Sequence, residues 1–227
     1  MKLEELLPNS GLIHDIGEDL TGFELLYPKV HGFRFNHVIS ARQSAQNSDS
    51  LSNALDRALL RFLRKQSDLI VTSGKTAIAE NLRASSFAPM LILTKSNEPV
   101  EIPATTTESE HAVYVTQRLE TNFSNPKAIA IGTFQDSVVN FTQGFCSSNN
   151  FKSAVLESGL AITKQFAQSN LLNEVDLTVT EATTLDEAQL LAQKFLSELG
   201  LDDYIGIQIL RFDNTWFFRF APSEASL

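Results

Sequence analysis

Apolar residues in this chain alternate between two spacings. Short unbroken runs such as DLIVT at 68–72 and MLIL at Met90–Leu93 read as buried strands, because a strand covered on both faces loses the polar alternation of a half-exposed one. Other stretches repeat every three or four residues: Leu55, Leu59, Phe62 and Leu63 share one face of a helix over 52–66. The same reading gives a strand at Gly32–Ser40, a short helix from Ser73 and Gly74 through Asn81, and a strand at Met90–Leu93 introduced by Pro89. Weaker strands follow at 112–116 and 128–131, then a helix near 136–143. Over 152–180, KSAVLESGLAITKQFAQSNLLNEVDLTVT reads as strand, Glu157-Ser158-Gly159 turn, amphipathic helix and strand, one βαβ unit. In TLDEAQLLAQKFLSELG, Thr184 caps a helix, Glu187 stands at capping-box spacing and Gly200 stops it. Strands at Tyr204–Phe212 and 215–220 then form a hairpin through Asp213 and Asn214.

Strands alternating with helices predict an α/β protein whose mixed, mostly parallel sheet is flanked by helices and ends in a C-terminal antiparallel hairpin. No repeat or low-complexity linker marks a boundary, so 1–227 is expected to be a single domain, with 1–30 an irregular N-terminal extension holding a short helix.

Composition narrows the class. At 227 residues and 43% hydrophobic content the chain can bury a substantial core. No apolar run approaches the roughly 20 residues that span a bilayer, and MKLEELLPNS has neither the basic flank nor the apolar stretch of a secretory signal. A cytoplasmic protein with no membrane partner is expected. Cys146 is the sole cysteine, which excludes an intramolecular disulfide and a thiolate metal cluster. The four histidines (14, 31, 37 and 111) show no HxH or HExxH spacing, so no metal site is expected. A net charge of −9 argues against a nucleic-acid partner and requires any anionic ligand to meet a local cluster of cations. Arg57, Arg61, Arg64, Lys65 and Lys75 supply such a cluster.

Two strand-to-helix turns carry the candidate chemistry: Thr72-Ser-Gly-Lys-Thr76 and Glu157-Ser-Gly159. In open α/β sheets ligands bind outside the carboxyl ends of strands, where a helix N-terminus directs unpaired amides and a positive dipole end at an anion. At the second turn Gly159 removes a blocking side chain and Ser158 and Thr163 offer hydroxyls, so a pyrophosphate can be held there; the alternative is that Gly159 only closes a tight turn. The first turn lacks the leading glycine and full spacing of GxxxxGK[ST], which argues against triphosphate hydrolysis.

DRALLRFLRKQSDLIVTSGKTAIAEN followed by AVLESGLAITKQFAQSNLLNEVDLTVT resembles the reductase domain of bifunctional riboflavin-biosynthesis deaminase-reductases and its free-standing relatives, over about 34–180. The resemblance rests on an arginine-rich helix (Arg57, Arg64), a glycine and threonine after a strand (Gly74, Thr76), an acidic residue (Glu80), and Glu157-Ser158-Gly159 in place of Glu-Gly-Gly. It implies a dihydrofolate-reductase-like fold and NADPH-dependent reduction of the ribosyl group of a phosphorylated ribosylamino-pyrimidine to ribityl, by a homodimer. It further implies cofactor contacts from Gly74, Thr76, Glu80, Lys95 and the run Ser158, Gly159, Leu160, Ala161, Ile162 and Thr163. Substrate contacts are implied for Ser40, Arg57, Arg83 and Glu157. No catalytic group is assigned, because hydride transfer asks the protein chiefly for alignment and exclusion of water.

The sequence also departs from the family. Where Ser-Leu-Asp-Gly is common, this chain has Ser40-Ala41-Arg42-Gln43, and the deaminase half with its zinc-ligand His and Cys residues is absent from it. These departures leave open a dihydrofolate-reductase-like protein acting on another substrate, or a non-catalytic nucleotide-binding descendant. Strand alternation puts His37 on the face of Ile39 and opposite Ser40, which favours a structural role.

Overall fold

The computed structural model describes residues 1–42, 51–96, 101–116 and 123–223. The chain divides into two compact units, one formed by Met1–Leu63 with Leu172–Leu227 and the other by Arg64–Leu171.

The second unit is the simpler. Its strands β8 (Ser153–Leu156), β4 (Leu69–Ser73), β5 (Met90–Leu93), β6 (Val113–Val115) and β7 (Ala128–Ala130) lie in that order, every pairing parallel. β4, β5 and β8 are buried at every position, as their unbroken apolar runs predict. Helices α3 (Gly74–Ala79) and α5 (Leu160–Gln168) leave the carboxyl ends of β4 and β8, and α4 (Val138–Ser148) leads into β8. Cys146 is buried on α4, and burial pushes its thiol up to about 11, consistent with an inert core residue.

In the first unit the strand order is β2 (Leu12–Asp15), β1 (Lys2–Leu7), β10 (Tyr204–Phe212), β11 (Thr215–Pro222), β9 (Leu172–Thr180), β3 (Gly32–Ser40). Only β3 and β9 pair in parallel; the other pairings are antiparallel. The C-terminal hairpin is present, its turn closed by Asp213 at φ 52. Residues 1–30 differ from the irregular extension expected: they form the β1–β2 hairpin and the short helix α1 (Phe23–Leu26), and Leu3, Phe23, Leu26 and Tyr27 are core residues. β1 is short and joins the sheet by pairing with β10, almost the whole chain away, a contact that local periodicity does not signal. The expected βαβ unit is also modified, since β9 takes β3 and β11 as its neighbours.

Two helices belong to this unit's core. In α2 (Ala54–Gln66) Leu55, Leu59, Phe62 and Leu63 are buried together. In α6 (Leu185–Leu199) Thr184 accepts from the Glu187 amide, Glu187 Oε2 reaches back to the Thr183 amide at 2.7 Å, and Gly200 ends the helix at φ 77. His37 follows the strand alternation, its ring in a cluster with Phe35 at 5.5 Å and Phe195 of α6 at 5.1 Å. Burial there lowers its pKa to about 4.

The opposite face of this sheet carries buried charge. Arg219 grips both Glu174 oxygens, Nε on Oε1 at 3.0 Å and Nη2 on Oε2 at 2.8 Å, and Arg34 Nη2 also lies 2.8 Å from Oε1. Arg219 also donates to the Leu26 carbonyl and to Gln208 Oε1, and Arg34 donates to the Pro28 carbonyl. Burial raises the Glu174 pKa, but the hydrogen bonds from Arg219 and the charge of Arg34 outweigh it and hold the carboxyl below its ordinary value. For Asp176, burial wins and pushes the carboxyl well up; neither oxygen is hydrogen-bonded among the described residues, although Arg34 Nε lies 3.2 Å away.

Candidate functional site

The carboxyl edge of the parallel unit assembles both turns singled out in the sequence. Ser73 ends β4 and caps α3, its Oγ accepting from the Thr76 amide at 3.0 Å and lying 2.8 Å from Thr76 Oγ1. Gly74 is required by packing: a β-carbon there would stand 2.9 Å from Thr94 Cβ. Thr94 follows β5, and its amide donates to Thr116 Oγ1, which joins the ends of β5 and β6. Lys95 is the next residue and is exposed.

The second turn sits beside the first. The Glu157 amide donates to the Val71 carbonyl at 2.8 Å, and Thr72 Oγ1 donates to the Glu157 carbonyl at 2.9 Å, fixing the backbone at the end of β8 against β4. A β-carbon on Gly159 would have Thr76 Oγ1 as its nearest neighbour, at 3.7 Å, so the two turns face each other with open space over Gly159. Gly159 has φ −63 and ψ 159, values open to any residue, so the glycine serves access rather than backbone conformation. It begins α5, and no side chain caps that helix. An exposed helix start without a side-chain cap offers its first-turn amides to an anion.

Other expected contacts take different places. The Ser158 and Thr163 hydroxyls are buried 3.2 Å apart, with Thr163 within 3.4 Å of the Ser158 and Gly159 carbonyls, so they brace the turn instead of facing outward. Leu160 and Ile162 are half-buried and Ala161 is exposed. Half-buried Glu80 is the C-cap of α3, its amide donating to the Thr76 carbonyl at 3.0 Å. Arg83 is exposed on the loop that follows.

Glu157 receives a partner that the sequence did not identify. Arg64 Nε and Nη2 grip its two carboxylate oxygens at 2.8 and 2.5 Å, a planar fork on a nearly buried carboxylate. The cost of burying this acid at a strand end is therefore met inside the protein. Arg64 was legible as one of several helix cations; which of them turns inward was not.

Ser40 and Arg57 lie in the other unit. Ser40 Oγ donates to the carboxylate of Glu181, which follows β9 at φ 62, a left-handed conformation uncommon for glutamate. Arg57 is exposed and donates to the Ser52 carbonyl at 2.7 Å. Arg42 is exposed beyond β3, while Gln43 lies outside the described residues. Sequence reasoning missed Glu181, whose only local signal is its position directly after an apolar strand.

Among the described residues no group of His, Cys, Asp or Glu is arranged to hold a metal ion, and no helix is long and apolar enough to cross a membrane.

No protein-family profile matches the chain, and no curated protein matches it. Solved structures do. A pyrimidine reductase-like protein from Corynebacterium diphtheriae superposes with a TM-score of 0.64 at 12% identity, over 88% of this chain and 98% of that one. A diaminohydroxyphosphoribosylaminopyrimidine deaminase/5-amino-6-(5-phosphoribosylamino)uracil reductase from Thermotoga maritima gives 0.64 at 10% identity, over 88% of this chain and 59% of the longer bifunctional one. The riboflavin biosynthesis reductase Rib7 of Saccharomyces cerevisiae gives 0.56 at 14% identity, over 91% and 100%. These superpositions give the fold: the chain has the fold of the riboflavin-biosynthesis pyrimidine reductases.

Proposed function

We propose that this chain is a cytoplasmic, NADPH-dependent reductase working as a single domain within a homodimer. Its proposed reaction is reduction of the ribosyl group of a phosphorylated ribosylamino-pyrimidine to a ribityl chain. The observation that carries the reading is the open, uncapped start of α5 at Gly159, facing Thr76 at the carboxyl edge of an all-parallel set of strands. NADPH fits there by charge and space: amides of the first turn of α5 take the pyrophosphate, and nothing lies nearer than 3.7 Å to the position a side chain on Gly159 would fill. Lys95, exposed after β5, takes the 2′-phosphate, and Thr76 and Glu80 border the nicotinamide ribose.

When bound, NADPH supplies the hydride. The protein's own part is positional. The Glu157–Arg64 fork and the Thr72 hydrogen bond fix the β8 turn, and the Ser158–Thr163 pair braces the start of α5, so the phosphate-binding amides are held in place before the ligand arrives. Arg57 supplies an exposed guanidinium group for the substrate phosphate, a job its geometry suits.

The test is NADPH oxidation followed by absorbance after addition of the ribosylamino-pyrimidine phosphate. Arg57→Ala is expected to raise the substrate KM about tenfold or more while leaving the NADPH KM unchanged. Equal effects on both would remove Arg57 from the phosphate site, and no turnover by wild-type protein that binds NADPH would favour the non-catalytic reading.

A further inference from the structure

The outer edge of the parallel unit is poor in charge. From Ala128 to Ser148, the stretch that forms β7 and α4, Asp136 is the only charged residue, in a chain that is 20% charged and carries a net −9. Its aromatic rings make one file. Phe134 lies 5.7 Å from Phe141, Phe141 lies 6.4 Å from Phe145, and Phe145 lies 4.9 Å from Tyr114 of β6. Tyr114 is the cross-strand partner of Ile129 on β7, so both side chains stand on one face of the sheet and the file reaches the edge strand. The four rings are half-buried and Ile129 is 44% exposed. A contiguous apolar surface of this kind, with its charges at the rim, marks an interaction site.

The backbone of β7 is open as well. It is the last strand in the order, and its ladder to β6 uses the Lys127 carbonyl at 3.1 Å and the Ile131 amide at 3.0 Å. Alternation then turns the Ala130 amide and the Ala128 carbonyl away from β6, where no strand pairs with them among the described residues. Edge strands are commonly blunted by a charge, a proline or a bulge, and Ala128-Ile129-Ala130 has none of these. The strand is short, so a ladder on this edge supplies few hydrogen bonds and the aromatic file has to supply the burial.

Charge selects the occupant and its direction. Two chains of net −9 repel each other over most of their surface, and a face without acids is where that repulsion is least. Lys127 precedes β7 and Asp136 follows it, both exposed. If two copies pair antiparallel about a two-fold axis at Ile129, the Lys127 end of each strand meets the end from which the other chain runs on to Asp136, whereas parallel pairing sets lysine beside lysine.

We infer that this edge is an interface with a second copy of the chain, in which β7 pairs antiparallel with β7 across a two-fold axis at Ile129 and the aromatic files of both copies lie along the joint. The inference goes beyond the reductase reading and shares with it only the homodimer, for which it supplies the interface.

The experiment is sedimentation equilibrium of the full chain. A dimer is expected, weakened about a hundredfold or more in Ile129→Lys, which opposes like charges across the axis. Ala130→Pro keeps the ladder to β6 but removes the outward amide, and is expected to weaken the dimer about tenfold or more. Ile129→Cys is expected to give a disulfide-linked dimer on oxidation with copper phenanthroline, because directly opposed residues of antiparallel strands lie within bridging range. Wild type, whose sole cysteine is the buried Cys146, is expected to stay unlinked. A monomeric wild type would overturn the inference, as would a dimer that Ile129→Cys does not link or that both other variants leave intact while folded. If either of those variants does not fold, the cross-link decides. NADPH titration of the same samples keeps the readings apart. A monomer that binds NADPH removes the interface and the homodimer but leaves the reductase; a dimer linked through Ile129→Cys that binds no NADPH upholds the interface and removes the reductase.

Discussion

The two units handle polar groups in opposite ways. In Arg64–Leu171 the middle of each buried parallel strand is apolar, and polar chemistry gathers mainly at the carboxyl edge, in Thr72, Ser73, Thr94, Thr116 and Glu157. The other unit carries Arg34, Glu174, Asp176, Gln208 and Arg219 inside its sheet, all less than 9% exposed. An apolar interior tolerates loss of a contact gradually, whereas a buried charge network fails sharply when one member is removed. Stability in the first unit is thus concentrated in few side chains, and the parallel unit holds its binding edge on a uniform core.

The largest expected effect breaks that contrast at its strongest point. Arg219→Met leaves Glu174 without its bidentate partner and is expected to cost about 3–5 kcal/mol in denaturant unfolding, enough to unfold a marginal domain. A cost below about 1 kcal/mol would show that Arg34 alone satisfies the carboxylates.

An intermediate effect separates the two glycines of the binding edge. Gly74→Ala forces a β-carbon to 2.9 Å from Thr94 Cβ and is expected to lose about 1–3 kcal/mol. Gly159→Ala meets only Thr76 Oγ1 at 3.7 Å and is expected to change stability by less than about 0.5 kcal/mol. Equal losses would place Gly159 in packing and not in access.

The smallest effect is pH-dependent. His37 has an ordinary pKa near 6.5 and is lowered to about 4 in the folded chain by burial, so between these values the unfolded chain binds more protons and acid favours unfolding. The stability that His37 contributes is full above pH 6.5 and is lost as the pH falls toward 4. The stability difference between wild type and His37→Phe should therefore shift against wild type across that window; a constant difference would mean that His37 protonates freely in the folded state.

The same contrast explains what the sequence disclosed. In the parallel unit each apolar run ends in a turn with Gly, Ser or Thr, so the strands, α3, α5 and both turns are readable locally. Met90–Leu93 in particular matches its expected bounds. In the other unit β1 and β2 read as irregular because their polar residues appear solvent-facing, yet Glu5 is buried, bonded to His14 at 2.8 Å and within 3.5 Å of Gln208. Gln208 lies 203 residues from Glu5 along the chain and leaves no periodic trace. For the same reason the Ser40–Glu181 and Arg64–Glu157 pairings, 141 and 93 residues apart, were not legible, although Ser40, Arg64 and Glu157 were each singled out.

The central claim is that the Gly159 edge binds a dinucleotide phosphate, and titration of wild type and Gly159→Asp with NADPH and NADH, followed by nicotinamide fluorescence, tests it most directly. The account predicts saturable NADPH binding, weaker NADH binding by about tenfold or more, and loss of both in Gly159→Asp with unchanged melting temperature. Undiminished NADPH affinity in folded Gly159→Asp, or no binding of either nucleotide by wild type, would contradict it.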